Sequence, residues 1–172
     1  INGIGLHHSD AGSGPPAILI PGFGFSAFTF RETIPALSPR FSTKTVELPG
    51  SGYSDRTLDH DYSLTGHAAL IAAFIREKEL NPALVIGHST GSAVALQLAA
   101  NHPELIERLI LVSSPDPNNL PVLARRTHFA SPILPFLAIA IAQQRPFSKK
   151  LIRHLVAEPQ SITTPVIAGH DR

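Results

Sequence analysis

Five residues, Gly87-His88-Ser89-Thr90-Gly91, do most to limit what this chain can fold into. The apolar run Ala83 to Ile86 leads directly into them. A helix-patterned stretch, Ser89 to Asn101, opens on small residues and is stopped by Pro103. A strand that becomes a helix within so few residues must bend sharply at its centre. Side chains two residues either side of Ser89 would collide in that bend, so both places favour glycine. The turn lifts the Ser89 hydroxyl above the end of a sheet, where a helix N-terminus stabilises developing negative charge. This is the context of a nucleophile elbow rather than of a serine that only caps a helix.

The rest of the sequence supplies the sheet that such a turn needs. Ala17 to Ile20 is a short apolar run closed by Pro21-Gly22, and Thr43 to Leu48 is rich in β-branched residues and stopped by Pro49-Gly50. Leu109 to Val112 and Thr164 to Ala168 read as further strands. Their apolar residues are consecutive, as in strands covered on both faces. Leu64, Ala68, Ile71 and Ile75 recur at helical spacing behind Ser63, a suitable N-cap, and a shorter helix is expected from Ser26 to about Leu37. Strand and helix alternate, which predicts an α/β fold with a doubly wound, mostly parallel sheet.

Composition removes several function classes. The 172 residues include 14 Lys and Arg against 13 Asp and Glu, a balance without the basic stripe that nucleic acid usually requires. No apolar run approaches the roughly 18 residues of a membrane span. Cysteine is absent, which excludes thiol catalysis, disulfides and thiolate metal sites. No secretory signal pattern opens the chain, so a cytoplasmic address is the expectation. Methionine is also absent and Ile1 stands first, the pattern expected of a piece of a longer chain.

Residues 116–160 break the strand–helix rhythm. Six prolines punctuate them, an apolar stretch runs from Ile133 to Ala142, and six basic residues face only Asp116 and Glu158. The expectation is a core over 1–115, a helical lid over 116–160 that lines an apolar pocket, and a return to the core over 161–172. An ordinary packed helical pair with solvated basic edges would give the same pattern.

Beyond the elbow, four further segments carry a resemblance. Pro21-Gly22-Phe23-Gly24 follows a strand, and Leu48-Pro49-Gly50-Ser51-Gly52-Tyr53-Ser54 follows another. Asn101-His102-Pro103-Glu104 leads into Leu109 to Ser113, and Pro165-Val166-Ile167-Ala168-Gly169-His170-Asp171 combines a strand with an acidic turn. Together with the elbow they resemble the α/β-hydrolase fold superfamily, in its branch of cap-bearing serine esterases, carbon–carbon bond hydrolases and cofactor-free haloperoxidases. Pro21 stands where that family usually has His. The resemblance implies Ser89 as nucleophile, an oxyanion hole from the N–H groups of Phe23 and Thr90, and no metal or organic cofactor. It implies a small-molecule substrate, with the apolar lid pointing to a small or medium apolar one, and says nothing of oligomeric state. Epoxide hydrolases and haloalkane dehalogenases of this fold use Asp at the elbow. Their activities are set aside here, since the chain also has no Trp, and Tyr53 and Tyr62 both precede the lid.

Asp171 is the favoured catalytic acid, in a Gly-x-Asp turn after the last strand, with Asp116 the alternative after Leu109 to Val112. Either would orient an imidazole. The family's order is Ser, then Asp, then His, and only Arg172 follows Asp171. His128, His154 and His170 would be in order after Asp116, but two lie in the lid and one abuts a strand. His88 is expected to pack beneath the turn, and His7, His8, His60, His67 and His102 read as surface or turn residues. A final strand and helix, with the catalytic His, are therefore expected beyond Arg172.

Two rival functions have some footing. Gly22-Phe23-Gly24-Phe25-Ser26-Ala27 fits a dinucleotide fingerprint, with Glu47 at the spacing of a ribose-binding acid, which would make an NAD-dependent oxidoreductase. A non-catalytic ligand-binding protein on the same fold would keep the pocket without the triad. Loss of a triad histidine costs about a millionfold in turnover. The 172-residue chain alone should therefore be inactive on activated esters. Turnover by it that disappears in Ser89→Ala would overturn that expectation.

Overall fold

The computed structural model describes residues 1–115. The expected lid, the strand Thr164 to Ala168, and Asp116, His128, His154, His170 and Asp171 lie outside the described residues. Five strands form one sheet: β1 (His8–Ala11), β2 (Pro16–Ile20), β3 (Ser42–Val46), β4 (Ala83–His88) and β5 (Ile106–Val112). Their order across the sheet is β1-β3-β2-β4-β5, with every neighbouring pair parallel except β1 and β3. Helix α1 (Thr33–Leu37) links β2 to β3, α2 (Leu64–Glu77) links β3 to β4, and α3 (Thr90–Asn101) links β4 to β5.

The handedness of parallel crossovers decides which face each helix covers. The chain moves one way across the sheet from β2 to β3, then the opposite way from β3 to β4 and on to β5. Helices α2 and α3 accordingly share one face, and α1 lies on the other. Strand alternation matches this division. Ile18, Ile20, Ala83 and Val85 pack with Ile71, Phe74, Ile75, Val94 and Leu98 on the α2–α3 face. Ala17, Leu19, Leu84 and Ile86 pack with Phe30, Ile34 and Leu37 on the α1 face. The direction of travel reverses between β2 and β4, so their carboxyl ends flank the crevice where α/β sheets place their sites.

Several expectations need correction. The helix from Ser26 to Leu37 is two pieces: a 3₁₀ turn over Ala27–Phe30, capped by the Ser26 hydroxyl, and the separate α1. Pro35 explains the break, because it lacks an N–H and its ring would clash with the carbonyl four residues back; it fits only a helix's first turn. Strand β1 was not expected at all. It is a four-residue polar edge strand, held by the Asp10–Lys44 ion pair at 2.8 Å and by the Thr43 hydroxyl donating to the Ala11 carbonyl. Such a strand needs no apolar run. His8 lies in it rather than in a turn.

His67 is not a surface residue either. It is buried on α2, with its Nδ1 3.0 Å from Nε2 of His60 and its ring edge-on to Tyr62. Burial, with help from His60 and against a weaker pull from Asp61, pushes its pKa down to about 4. Between pH 6.5 and 4 the unfolded chain then binds a proton here that the folded chain does not, so stability falls as pH falls. From pH 7 to 5 this single group should cost about 1–2 kcal/mol. Urea midpoints measured across that range should shift clearly less in His67→Gln; parallel shifts in both proteins would remove His67 as the cause.

Candidate active site at the elbow after β4

The turn between β4 and α3 holds Ser89 at φ 53° and ψ −122°. A serine with positive φ costs on the order of 1–3 kcal/mol and persists only where its surroundings enforce it. Three contacts do so here. The Ser89 N–H donates to the Val112 carbonyl at 2.9 Å, fastening the turn to the end of β5. The Ser92 N–H donates to the Ser89 carbonyl at 2.9 Å. The fully buried Ser92 hydroxyl donates to the Gly87 carbonyl at 2.7 Å and lies 3.0 Å from the Val112 carbonyl.

The two elbow glycines are demanded by close approach. A Cβ on Gly87 would lie 2.6 Å from the Ser92 Cα and against the Gly91 carbonyl, and one on Gly91 would run into the Ile20 and Pro21 carbonyls. All of these obstacles are backbone, which has little room to give. Gly91 therefore allows α3 to seat directly on the end of β2, and this contact brings the loop after β2 beside the serine.

That loop is the segment Pro21–Ser26. A Cβ on Gly22 would lie 3.1 Å from the Ser89 Cβ, so the backbone entering Phe23 passes next to Ser89. Phe25 N–H donates to the Gly22 carbonyl at 3.1 Å, closing a tight turn around Phe23. Among the described residues, neither the Phe23 N–H nor the Thr90 N–H is donated to a protein acceptor. His88 is half-buried, as expected beneath the turn. Its ring meets Phe25 edge-on, burial lowers its pKa, and its buried Nδ1 has no partner among the described residues.

The structure thus brings Gly87, Ser89, Thr90, Gly91 and the Phe23 loop together. Both candidate acids, Asp171 and Asp116, fall outside the described residues. Glu47 is not poised for a ribose: it is 1% exposed, and its two oxygens accept from the N–H groups of Ala27 at 2.8 Å and Tyr53 at 2.7 Å. This removes the acid that the dinucleotide reading requires. Among the described residues no group of three or more His, Asp or Glu side chains could hold a metal ion, and no helix is long and apolar enough to cross a membrane.

Sequence reasoning did not single out Ser92 or Ser51. The only signal for Ser92 is a small polar residue at the third position of a helix rich in alanine and leucine.

Comparison with known proteins places these observations in context. Residues 15–137 match the family model described as alpha/beta hydrolase fold. The magnesium-chelatase 30 kDa subunit of Rhodobacter capsulatus is 33% identical over 152 residues, covering 87% of this chain and 49% of that protein. A pimeloyl-acyl-carrier-protein methyl ester esterase of Aeromonas hydrophila is 37% identical over 103 residues, covering 60% of this chain and 39% of the esterase. Among solved structures, Cfl2 of Burkholderia cenocepacia superposes with a TM-score of 0.81 at 29% identity, covering 99% of this chain and 62% of that one. The chain therefore spans about half the length of the Rhodobacter relative and rather more of Cfl2.

Ser92 makes the elbow's most buried side-chain hydrogen bond. Ser92→Ala leaves the Gly87 carbonyl without that donor and should cost about 1–3 kcal/mol in a urea melt. A loss below a few tenths would show that the turn holds itself without it.

Proposed function

The chain belongs to the alpha/beta hydrolase fold family, and on that premise we propose that it acts as a serine hydrolase cleaving an ester or related carbonyl bond. The observation that carries the reading is the Ser89 backbone, held at positive φ between β4 and α3. No capping role requires that conformation, whereas presenting a hydroxyl above the sheet does.

The chemistry follows from the groups around it. Ser89 Oγ attacks the substrate carbonyl carbon while its proton passes to a histidine base. The oxyanion that forms accepts from the N–H groups of Phe23 and Thr90, at the N-terminal end of α3 where the helix dipole favours negative charge. Collapse expels the leaving group, which takes the proton from the imidazolium, and water then cleaves the acyl-enzyme by the same route. Asp171, or alternatively Asp116, orients the base and stabilises its charged form. The half-buried Phe25 ring, which lies against Gly22 and His88 at the elbow, supports an apolar substrate of small or medium size. The esterase relative from Aeromonas makes methyl and other short-chain esters the first substrates to try.

In the full-length protein a fluorophosphonate probe should label Ser89 rapidly. Ser89→Ala should abolish labelling and lower turnover of a p-nitrophenyl ester by about a millionfold. A folded wild-type protein that takes no label and turns over no ester of the series would instead be a ligand-binding member of the fold.

A further inference from the structure

Glu47 sits just past the end of β3, buried to 1% exposure. Burying a carboxylate is costly unless each oxygen is paired. Its partners come from separate segments. Oε1 accepts from the Ala27 N–H at 2.8 Å, Oε2 accepts from the Tyr53 N–H at 2.7 Å, and the His7 ring nitrogen Nδ1 lies 3.1 Å from Oε2. The surrounding loop is shaped around it. The Ser54 hydroxyl donates to the Glu47 carbonyl at 2.6 Å, and Gly52, at φ 52°, carries no Cβ because one would overlap the carboxylate.

Ala27 is the first residue after the Pro21–Ser26 loop, the loop that passes Gly22 and Phe23 beside Ser89. Its middle is tied to the same segment by the Gly24 N–H donating to the buried Ser51 hydroxyl at 3.2 Å. These two tethers from the loop and its end to the 47–54 segment thus fall on Glu47 and Ser51. We propose that Glu47, seconded by Ser51, is a positioning residue for the oxyanion loop: its carboxylate fixes where the Phe23 N–H points relative to Ser89 Oγ. The inference rests on the serine-hydrolase reading and adds to it a residue that touches neither substrate nor nucleophile.

Glu47→Gln in the full-length protein is the direct test. The amide keeps one acceptor for one N–H but turns its own N–H₂ toward the other, so the loop loses a tether at nearly constant volume. A misplacement of about an ångström at a stabilising donor costs about tenfold to hundredfold in rate. The expected result is a kcat on p-nitrophenyl acetate lower by that factor with KM little changed. Affinity for a trifluoromethyl ketone, whose adduct needs the oxyanion hole, should fall in parallel. Binding of the product carboxylic acid should hold.

Ser51→Ala, which cuts only the Gly24 tether, should move the same quantities in the same direction by less. A merely structural Glu47 would lower the folded fraction and leave kcat per folded molecule, and ketone affinity, at their wild-type values; that result overturns the proposal. If Glu47→Gln does not fold, Ser51→Ala decides, and wild-type kinetics there count against it. Fluorophosphonate labelling separates the two levels. A folded but unlabelled wild type removes the hydrolase reading and this one with it. A labelled wild type and an equally fast Glu47→Gln remove the positioning role alone.

Discussion

The contact on which the site depends is the seating of α3 on the end of β2. Gly91 meets the Ile20 and Pro21 carbonyls with no room for a side chain, and Gly87 meets Gly91 and Ser92 in the same way. Only this closeness lets the chain leave β4, invert at Ser89 and start a helix without leaving the sheet. The strain at Ser89 is then held by groups that are already part of the sheet, chiefly the Val112 carbonyl on β5. A larger residue at either glycine would separate the helix from the sheet and, with it, the serine from the loop after β2.

The order of the strands explains why that loop is available. Because the crossovers run one way from β2 and the other way from β3, the loops leaving β2 and β4 diverge and leave a crevice between them. One loop carries Phe23, the proposed oxyanion donor, and the other carries Ser89, the proposed nucleophile. Neither needs to be long, since adjacent strands already put their ends side by side. The Ile20–Gly87 register pairs the last residue of β2 with the first glycine of the elbow.

Much of this was legible in the sequence where the physics is local. The apolar runs of β2, β4 and β5, the β-branched run of β3, the Ser63 cap and the glycine spacing around Ser89 each report a backbone requirement in a few consecutive residues. What escaped depends on partners distant along the chain. Strand β1 is polar and short, and exists because β3 has an open edge with Lys44 opposite Asp10. His67 is buried because His60 and Tyr62 fold back over α2, which no periodicity announces. Pro35 was the one local signal passed over, since it forbids a helix continuous from Ser26. Glu47 stood out for its spacing, which fitted only the rival dinucleotide reading. Its actual partners, Ala27 and Tyr53, are backbone groups, and a backbone N–H leaves no trace in residue type.

Three departures from ordinary folding rules gather around the ends of β2, β3 and β4. Ser89 holds a positive φ, Glu47 buries a carboxylate, and His88 buries an Nδ1 with no partner among the described residues. The positive φ of Ser89 and this buried Nδ1 of His88 each lower stability, and each could be relieved by an ordinary substitution: a glycine for the serine, a leucine for the histidine. The core beside them is largely apolar, with Ile18, Leu19, Val85 and Phe74 fully buried. Two of these departures, at His88 and Ser89, are adjacent in the elbow, and departures that cluster in this way mark candidate sites. The kinds of exception also agree with one another. A raised hydroxyl needs a fixed donor to receive the charge it creates, and a fixed donor on a short glycine-rich loop needs an anchor that water cannot loosen. In our proposal the buried Glu47 carboxylate, which accepts from the Ala27 and Tyr53 N–H groups, supplies that anchor.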